Sequence, residues 1–280
     1  MIPAAFDYQR PASVDEALTA ISGGDVKILA GGQSILPLLK MRLASADTLV
    51  DIGRLTDLRG MREQADGGYE VGALTTYADI IAGTTLPWVA EAVEGIGDVQ
   101  VRNRGTVGGS IAHSDPASDL PAIALALDYS AVLRSVGGER TVPLDGFFEG
   151  AFQTAAAPDE LLVAIRRGPV PAGAQGAYKK LEQPASGYSI VGVAAVIASS
   201  GGSVTHARIG ITGVGEAPYR AKAVEEALLT SDGSQSAVAA AAEHAADGQL
   251  VNSDIHADRE YRSRMAVVYT RRAIEAALGR

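Results

Sequence analysis

The sequence contains no cysteine. That absence excludes disulfides, thiolate-bound zinc, a cysteine nucleophile and any iron–sulfur cluster held by this chain. Long apolar runs are missing too. The longest, "IVGVAAVIA" at 190–198, falls far short of the ~20 residues of a membrane-spanning helix and reads as a buried strand. The opening "MIPAAFDYQR" lacks a charged region followed by an apolar one, so no signal peptide is expected. A cytoplasmic protein without a transmembrane segment is the expectation. Positive charge is in deficit: a formal net charge of −9 argues against a nucleic-acid partner, which needs a basic footprint. The six arginines between Arg259 and Arg280 read as the solvated face of a terminal helix. No H-E-x-x-H occurs and the four histidines (113, 206, 244, 256) are scattered, so metal binding is disfavoured.

What is present is the composition of a globular protein, 280 residues with 47% hydrophobic and 20% charged. Ser13 and Glu16 form a capping-box pattern ahead of Val14, Ala17, Leu18 and Ile21 at helical spacing, stopped by Gly23 and Gly24. "VKILA" (26–30), "SILPLLK" (34–40) and "DTLVDI" (47–52) then predict strand, helix and strand. A hairpin is predicted over 63–73, helices near 75–82, 87–96 and 119–127, and a second hairpin turning at Gly137–Gly138. "DELLVAIRR" (159–167) is a further strand, and the Pro/Gly-rich stretch 166–177 is the best linker. Beyond it come three strands and then helices near 220–229, 235–246 and 258–278, which suggests an α+β C-terminal domain.

Two glycine motifs carry the chemistry. In "AGGQS" (30–34) a predicted strand runs through Gly-Gly into a helix. This leaves backbone N–H groups unpaired at the turn, an anion site that needs no lysine. "TVGGSIAHSDPASDLP" (106–121) repeats the logic, with Thr106 and Ser110 around the glycine pair and Asp119 at the next helix start. Both are read as loops after strands, with Gly32 and Gly109 at left-handed positions. Asp119 by itself reads as an N-cap and His113 as a loop histidine. A serine triad fits poorly, because neither motif has the G-x-S-x-G elbow. Two neutral glycine loops suit a pyrophosphate ligand with long polar arms, and FAD meets that description.

"AGGQSILPLLKMRLA", "DVQVRNRGTVGGSIAHSDPASDLPAIALAL", "DELLVAIR" and "EYRSRMAVVYTRRAIEAAL", in this order, resemble the FAD-binding medium subunit of molybdenum hydroxylases. That family is typified by aerobic carbon monoxide dehydrogenase and bacterial xanthine dehydrogenase. The resemblance implies an α+β architecture: a two-subdomain FAD-binding fold of the PCMH type at 1–175 (1–57 and 58–175), then a C-terminal domain at 176–280. It also implies an oxidoreductase role in electron transfer, with no catalytic side chain. FAD would be contacted by Leu29, Ala30, Gly31, Gly32, Gln33, Ser34, Ile35 and Leu36 on one side. Gly97, Thr106, Val107, Gly108, Gly109, Ser110 and His113 would contact it on the other. Asp119 would hold the polar chain of the flavin, Leu162 would border the adenine or ribityl region, and Lys180 and Tyr188 would complete the site, Tyr188 beside the flavin ring. The implied partners are an iron–sulfur small subunit carrying 2Fe–2S clusters and a large subunit carrying the molybdenum cofactor, as a dimer of heterotrimers. Gln33 stands where carbon monoxide enzymes often have His, and Ser110 and His113 where many members have Asn, so the substrate stays open between carbon monoxide, an N-heteroaromatic and another small molecule. Two alternatives stand beside this reading: a self-sufficient FAD oxidoreductase on the same fold, and a non-enzymatic nucleotide-binding or assembly protein.

Overall fold

The computed structural model describes residues 2–23 and 25–280; Gly24, expected to help stop the first helix, lies outside the described residues. A three-stranded parallel sheet comes first, from β1 (Asp7–Gln9), β2 (Val26–Leu29) and β3 (Thr48–Asp51), in the order β1–β3–β2. Helix α1 (Val14–Ile21) precedes β2, and α2 (Ile35–Met41) connects β2 to β3. The Ser13 hydroxyl accepts the Glu16 N–H at 3.2 Å, as the capping pattern requires. The return bond is displaced by one residue, since Glu16 Oε2 accepts from the Ala12 N–H at 2.8 Å. Ala17, Leu18 and Ile21 thereby pack with Val50, Ile52 and Leu55 in a small core of their own.

A five-stranded antiparallel sheet follows. Its strands are β4 (Met61–Glu63), β5 (Tyr69–Gly72), β6 (Ser130–Ser135), β7 (Gly138–Pro143) and, after a short ribbon of β8 (Phe148–Gly150) and β9 (Gln153–Thr154), β10 (Leu161–Arg167). Their spatial order is β4–β5–β10–β6–β7. Five helices occupy the crossover from β5 to β6: α3 (Tyr77–Gly83), α4 (Pro87–Glu94), α5 (Val99–Arg102), α6 (Val107–His113) and α7 (Asp119–Ala126). Their apolar faces and the sheet share the largest core, with Val93, Ile111, Ile123, Leu125, Leu133 and Phe147 at its centre.

The C-terminal part is a four-stranded antiparallel sheet of β11 (Gln175–Glu182), β12 (Ser189–Ser200), β13 (Ser203–Thr212) and β14 (Tyr219–Arg220), in sequence order. One face is covered by α8 (Lys222–Leu229), α9 (Gln235–Ala242) and α10 (Arg259–Ala277). The other meets α7. A Cβ at Gly210 of β13 would overlap the Ala122 carbonyl oxygen, so helix backbone lies directly on strand. This two-sided burial explains why β12 reads as an unbroken apolar run: Val191, Val193, Ala195 and Ile197 face the helices, while Ala194 and Val196 join the larger core. The linker is shorter than the composition suggests. Strands β10 and β11 take residues from both ends of 166–177, leaving 168–174.

The β7 edge is tied down by Arg140, whose Nε and Nη2 donate to Glu160 Oε1 at 2.6 Å and Oε2 at 2.7 Å. This hydrogen bonding holds the Glu160 carboxyl below its usual 4.5. A depressed carboxylate pKa adds stability above the unfolded value, and that stability is lost as pH falls through the folded value. Glu160→Gln is therefore expected to cost ~1 kcal/mol near neutrality, the upper end for a partly exposed pair. The stability difference from wild type should narrow as pH falls below the ordinary 4.5 and close once it passes the lowered folded value. Urea unfolding across that range reads it; a difference independent of pH would contradict it.

Candidate functional site

Strand β2 ends at Leu29, and Ala30, Gly31, Gly32, Gln33 and Ser34 carry the chain into α2. Gly32 has φ +79°, in the left-handed region that glycine reaches without strain. Gly31 is required for another reason. A Cβ there would overlap the Arg104 carbonyl oxygen and lie 2.8 Å from its carbonyl carbon, so this loop presses on the backbone leading into the second motif. Among the described residues, the N–H groups of Gly31, Gly32, Gln33, Ser34 and Ile35 donate to no protein acceptor. Helical bonding begins with the Leu36 N–H, which donates to Gly32 O at 3.2 Å. Five consecutive free donors on an uncharged loop are an anion-binding surface.

The second motif differs from its expectation. It follows the short helix α5 instead of a strand, and Gly108 and Gly109 form the first turn of α6. Thr106 is the N-cap, its Oγ1 accepting the Gly109 N–H at 3.2 Å. The Val107 and Gly108 N–H groups donate to Thr75 O at 3.0 Å and Ala73 O at 2.8 Å. Donors that the sequence left free are thus consumed inside the protein. Gly109 is helical, which corrects the left-handed assignment, and its role is steric: a Cβ would lie 2.7 Å from Thr106 Oγ1 and 4.0 Å from the Ala30 Cβ. A Cβ on Gly108 would overlap that of Ala73, so Gly108 serves packing. The first motif supplies the donors; the second supplies a close-fitting floor.

Beside this floor lies a buried polar cluster. Ser118, and not Asp119, occupies the N-cap of α7; Asp119 is the first helical residue and only 4% exposed. Its Oδ1 accepts from Tyr178 Oη at 2.5 Å and Ser189 Oγ at 2.7 Å, and Lys180 Nζ lies 3.4 Å from the carboxylate. Burial raises the Asp119 pKa, opposed by Lys180 and then by the two hydroxyls. Tyr178 is held well above the ordinary tyrosine value by burial and by the Asp119 charge. Lys180 also donates to the carbonyls of Gly95 and Gly187, both at 2.9 Å.

The remaining expected residues take distinct places. Ser110 Oγ pairs with Ser118 Oγ at 2.8 Å. Under it lies Tyr77, pushed up to about 12 by burial against the hydrogen bond from Ser110, with the Asp119 and Tyr188 sites adding to the rise. His113 ends α6 with its ring 5.0 Å from that of Phe152, and burial lowers its pKa against the pull of Asp115. Tyr188 is 48% exposed, its pKa raised by burial, Asp115 and Asp119. Leu36 is exposed at the mouth of the loop, and Ser34 makes no side-chain cap bond. Two candidates stand apart. Leu162 is buried with Val107 and Ile111 in the core, and Gly97 (φ +56°) is exposed on the corner before α5, where its carbonyl accepts from Arg102 at 2.7 Å. Sequence reasoning missed Tyr77, Asp115, Phe152, Tyr178 and Ser189. For Tyr178 a signal existed: strand alternation places it on the same side of β11 as Lys180.

Comparison with known proteins bears on the same features. Residues 4–171 match the FAD binding domain in molybdopterin dehydrogenase, and residues 176–277 match the CO dehydrogenase flavoprotein C-terminal domain. The carbon monoxide dehydrogenase medium chain of Hydrogenophaga pseudoflava is 41% identical, the alignment covering 100% of this chain and 99% of that one. The chain belongs to the FAD-binding medium subunits of the molybdenum hydroxylases. The solved carbon monoxide dehydrogenase of Hydrogenophaga pseudoflava, in a form lacking the Mo-pyranopterin moiety, superposes with a TM-score of 0.96 at 42% identity, covering 100% of this chain and 99% of that one. The 6-hydroxypseudooxynicotine dehydrogenase complex subunit alpha of Paenarthrobacter nicotinovorans is 36% identical over 100% of this chain and 97% of its own length. This medium subunit is thus an oxidoreductase component that binds FAD and works with small and large subunits, which carry the iron–sulfur and molybdenum centres. Its residues fit that cofactor, since the five free N–H groups of residues 31–35 are what a pyrophosphate needs from a chain of net charge −9. No helix among the described residues is long and apolar enough to cross a membrane.

Proposed function

We propose that this chain is the electron outlet of a cytoplasmic molybdenum hydroxylase built as a dimer of heterotrimers. Electrons from 2Fe–2S clusters of the small subunit reach it and leave to an external acceptor. The substrate, whether carbon monoxide, an N-heteroaromatic or another small molecule, is oxidised on the large subunit. A medium chain 41% identical to this one belongs to a carbon monoxide dehydrogenase, and a subunit alpha 36% identical belongs to a 6-hydroxypseudooxynicotine dehydrogenase complex, which supports placing substrate choice on another polypeptide. In this reading the FAD domain spans 1–175, with subdomains 1–57 and 58–175, and the C-terminal domain spans 176–280.

The observation that carries the proposal is the row of unpaired donors from Gly31 to Ile35, beside a second motif whose own donors are spent. Residues 31–35 grip the pyrophosphate. Thr106 to Ser110 support it sterically, and Leu29, Ala30 and Leu36 line the approach. His113, Asp119, Lys180 and Tyr188 border the flavin end, and Leu162 and Gly97 back it from the core and from the α5 corner. Bound FAD supplies the redox chemistry; the side chains bind and orient it.

Acid release from the purified or reconstituted chain is expected to yield FAD. FMN, which lacks the pyrophosphate, or no flavin at all would overturn the reading. Because the chain has no cysteine to hold an iron–sulfur cluster, its flavin should stay oxidised when the isolated subunit is given carbon monoxide or another candidate substrate. Co-expressed with the small and large subunits it should co-purify and be reduced by the substrate of the complex. Bleaching in the isolated chain would favour a self-sufficient oxidoreductase.

A further inference from the structure

Ser189 is buried and Tyr178 partly buried, and both donate to one oxygen, Asp119 Oδ1, at 2.5 and 2.7 Å. Asp119 in turn is the buried charge partner of Lys180, with Nζ 3.4 Å away; the second, Glu182 at 3.8 Å, is exposed. Lys180 donates at 2.9 Å to the carbonyl of Gly187, the residue before Tyr188, and at 2.9 Å to Gly95 at the end of α4. A continuous path of hydrogen bonds therefore runs from the Tyr178 phenol to the backbone that presents Tyr188.

The turn at its end needs such an anchor. Residues 184–186 are exposed, and Gly187 holds φ +72°. Its internal bonds are the Gln183 N–H to Tyr188 O and the Gly187 N–H to Gln183 O, both 2.8 Å, and the Ser186 N–H to Gln183 Oε1 at 2.6 Å and Gln183 O at 3.3 Å. The Tyr188 N–H reaches only Ser186 Oγ at 3.3 Å; all of these bonds are local to the turn, and none ties it to the body of the domain. Exposed turns with so few buried contacts open locally at little cost. A lysine stem carries large rotamer entropy, so Lys180 fixes the turn only where its ammonium is itself fixed. Asp119, locked by two hydroxyls, does that.

We infer that Tyr178, together with Ser189, is a positioning residue that sets the placement of Tyr188 against the flavin through Asp119, Lys180 and the Gly187 carbonyl. The inference rests on the reading above that Tyr188 lies beside the ring of bound FAD. It is tested on the full-length, FAD-loaded chain by flavin fluorescence, which an adjacent tyrosine quenches, together with FAD content. Tyr178→Phe removes one hydroxyl and should leave FAD content unchanged while raising the fluorescence severalfold, toward that of Tyr188→Ala. Ser189→Ala should act in the same direction, and Ser189→Thr, which keeps a hydroxyl, should restore the wild-type signal. If Tyr178 acts through Tyr188, the double variant Tyr178→Phe/Tyr188→Ala is no brighter than Tyr188→Ala alone. Wild-type fluorescence in Tyr178→Phe and Ser189→Ala, whatever their melting temperatures, would overturn the inference alone, as would additive brightening in the double variant. A Tyr188→Ala chain that keeps its FAD and the wild-type signal would overturn the flavin-side placement of Tyr188 and this inference with it.

Discussion

Gly31→Ala is expected to cost this subunit nearly all of its FAD affinity while leaving the chain folded. The added methyl would overlap the Arg104 carbonyl oxygen and come within 2.8 Å of its carbon and 3.2 Å of Gly105 Cα. All three are backbone atoms, so neither side yields by rotating a side chain. Loop 30–34 must lift away, displacing the free N–H groups proposed to hold the pyrophosphate. Hydrogen bonds to a charged group contribute ~1.5–3 kcal/mol each, so losing two is ~3–6 kcal/mol. In affinity that is roughly 100-fold to 10,000-fold. Of the loop, only the partly buried Ala30 packs against the small core around Leu18, Val50 and Ile52, so urea unfolding should shift far less than FAD affinity. Gly32→Ala should be milder. Its left-handed φ costs ~1–2 kcal/mol, and its closest neighbours are Leu36 Cδ1 at 2.8 Å and Leu29 Cδ1 at 3.2 Å, which are ends of side chains that can turn. Flavin content and titration of the apoprotein decide both. A Gly31→Ala chain with wild-type FAD content would mean that the loop is not the grip.

Asp119→Ala should damage the fold as well as the site. It would leave the Lys180 ammonium, 11% exposed, with only the solvent-exposed Glu182 carboxylate at 3.8 Å as counter-charge, and would remove the acceptor shared by Tyr178 and Ser189. Breaking a buried pair from one side costs ~3–5 kcal/mol, a large part of the ~5–15 kcal/mol that holds a domain together. Removing both charges should cost less. In Asp119→Leu/Lys180→Met no ion is stranded, and the hydroxyls of Tyr178 and Ser189, 3.3 Å apart, can pair with each other. The expected order of unfolding free energies is wild type, then the double variant, then Asp119→Ala. A single variant as stable as wild type would show that the pair carries no stability.

Much of this was legible in the chain itself. The absence of cysteine placed the iron–sulfur clusters elsewhere, and the capping pattern at Ser13 and the apolar run of β12 located their elements to within a residue or two. The Gly31–Gly32 turn was legible because strand, turn and helix are local. Each is set by the residues that compose it, so sequence alone determined the first glycine motif, while the fold class and the flavin followed from the family resemblance that the motifs carry. What it could not determine was which donors remain free. The N–H groups of Val107 and Gly108 are consumed by Thr75 and Ala73, more than thirty residues earlier in the chain, and no local pattern announces that pairing. For the same reason Asp119 looked like a helix cap. Only tertiary packing brings β11 and β12 of the C-terminal sheet against the start of α7, and a carboxylate taken out of water there must find Tyr178, Lys180 and Ser189.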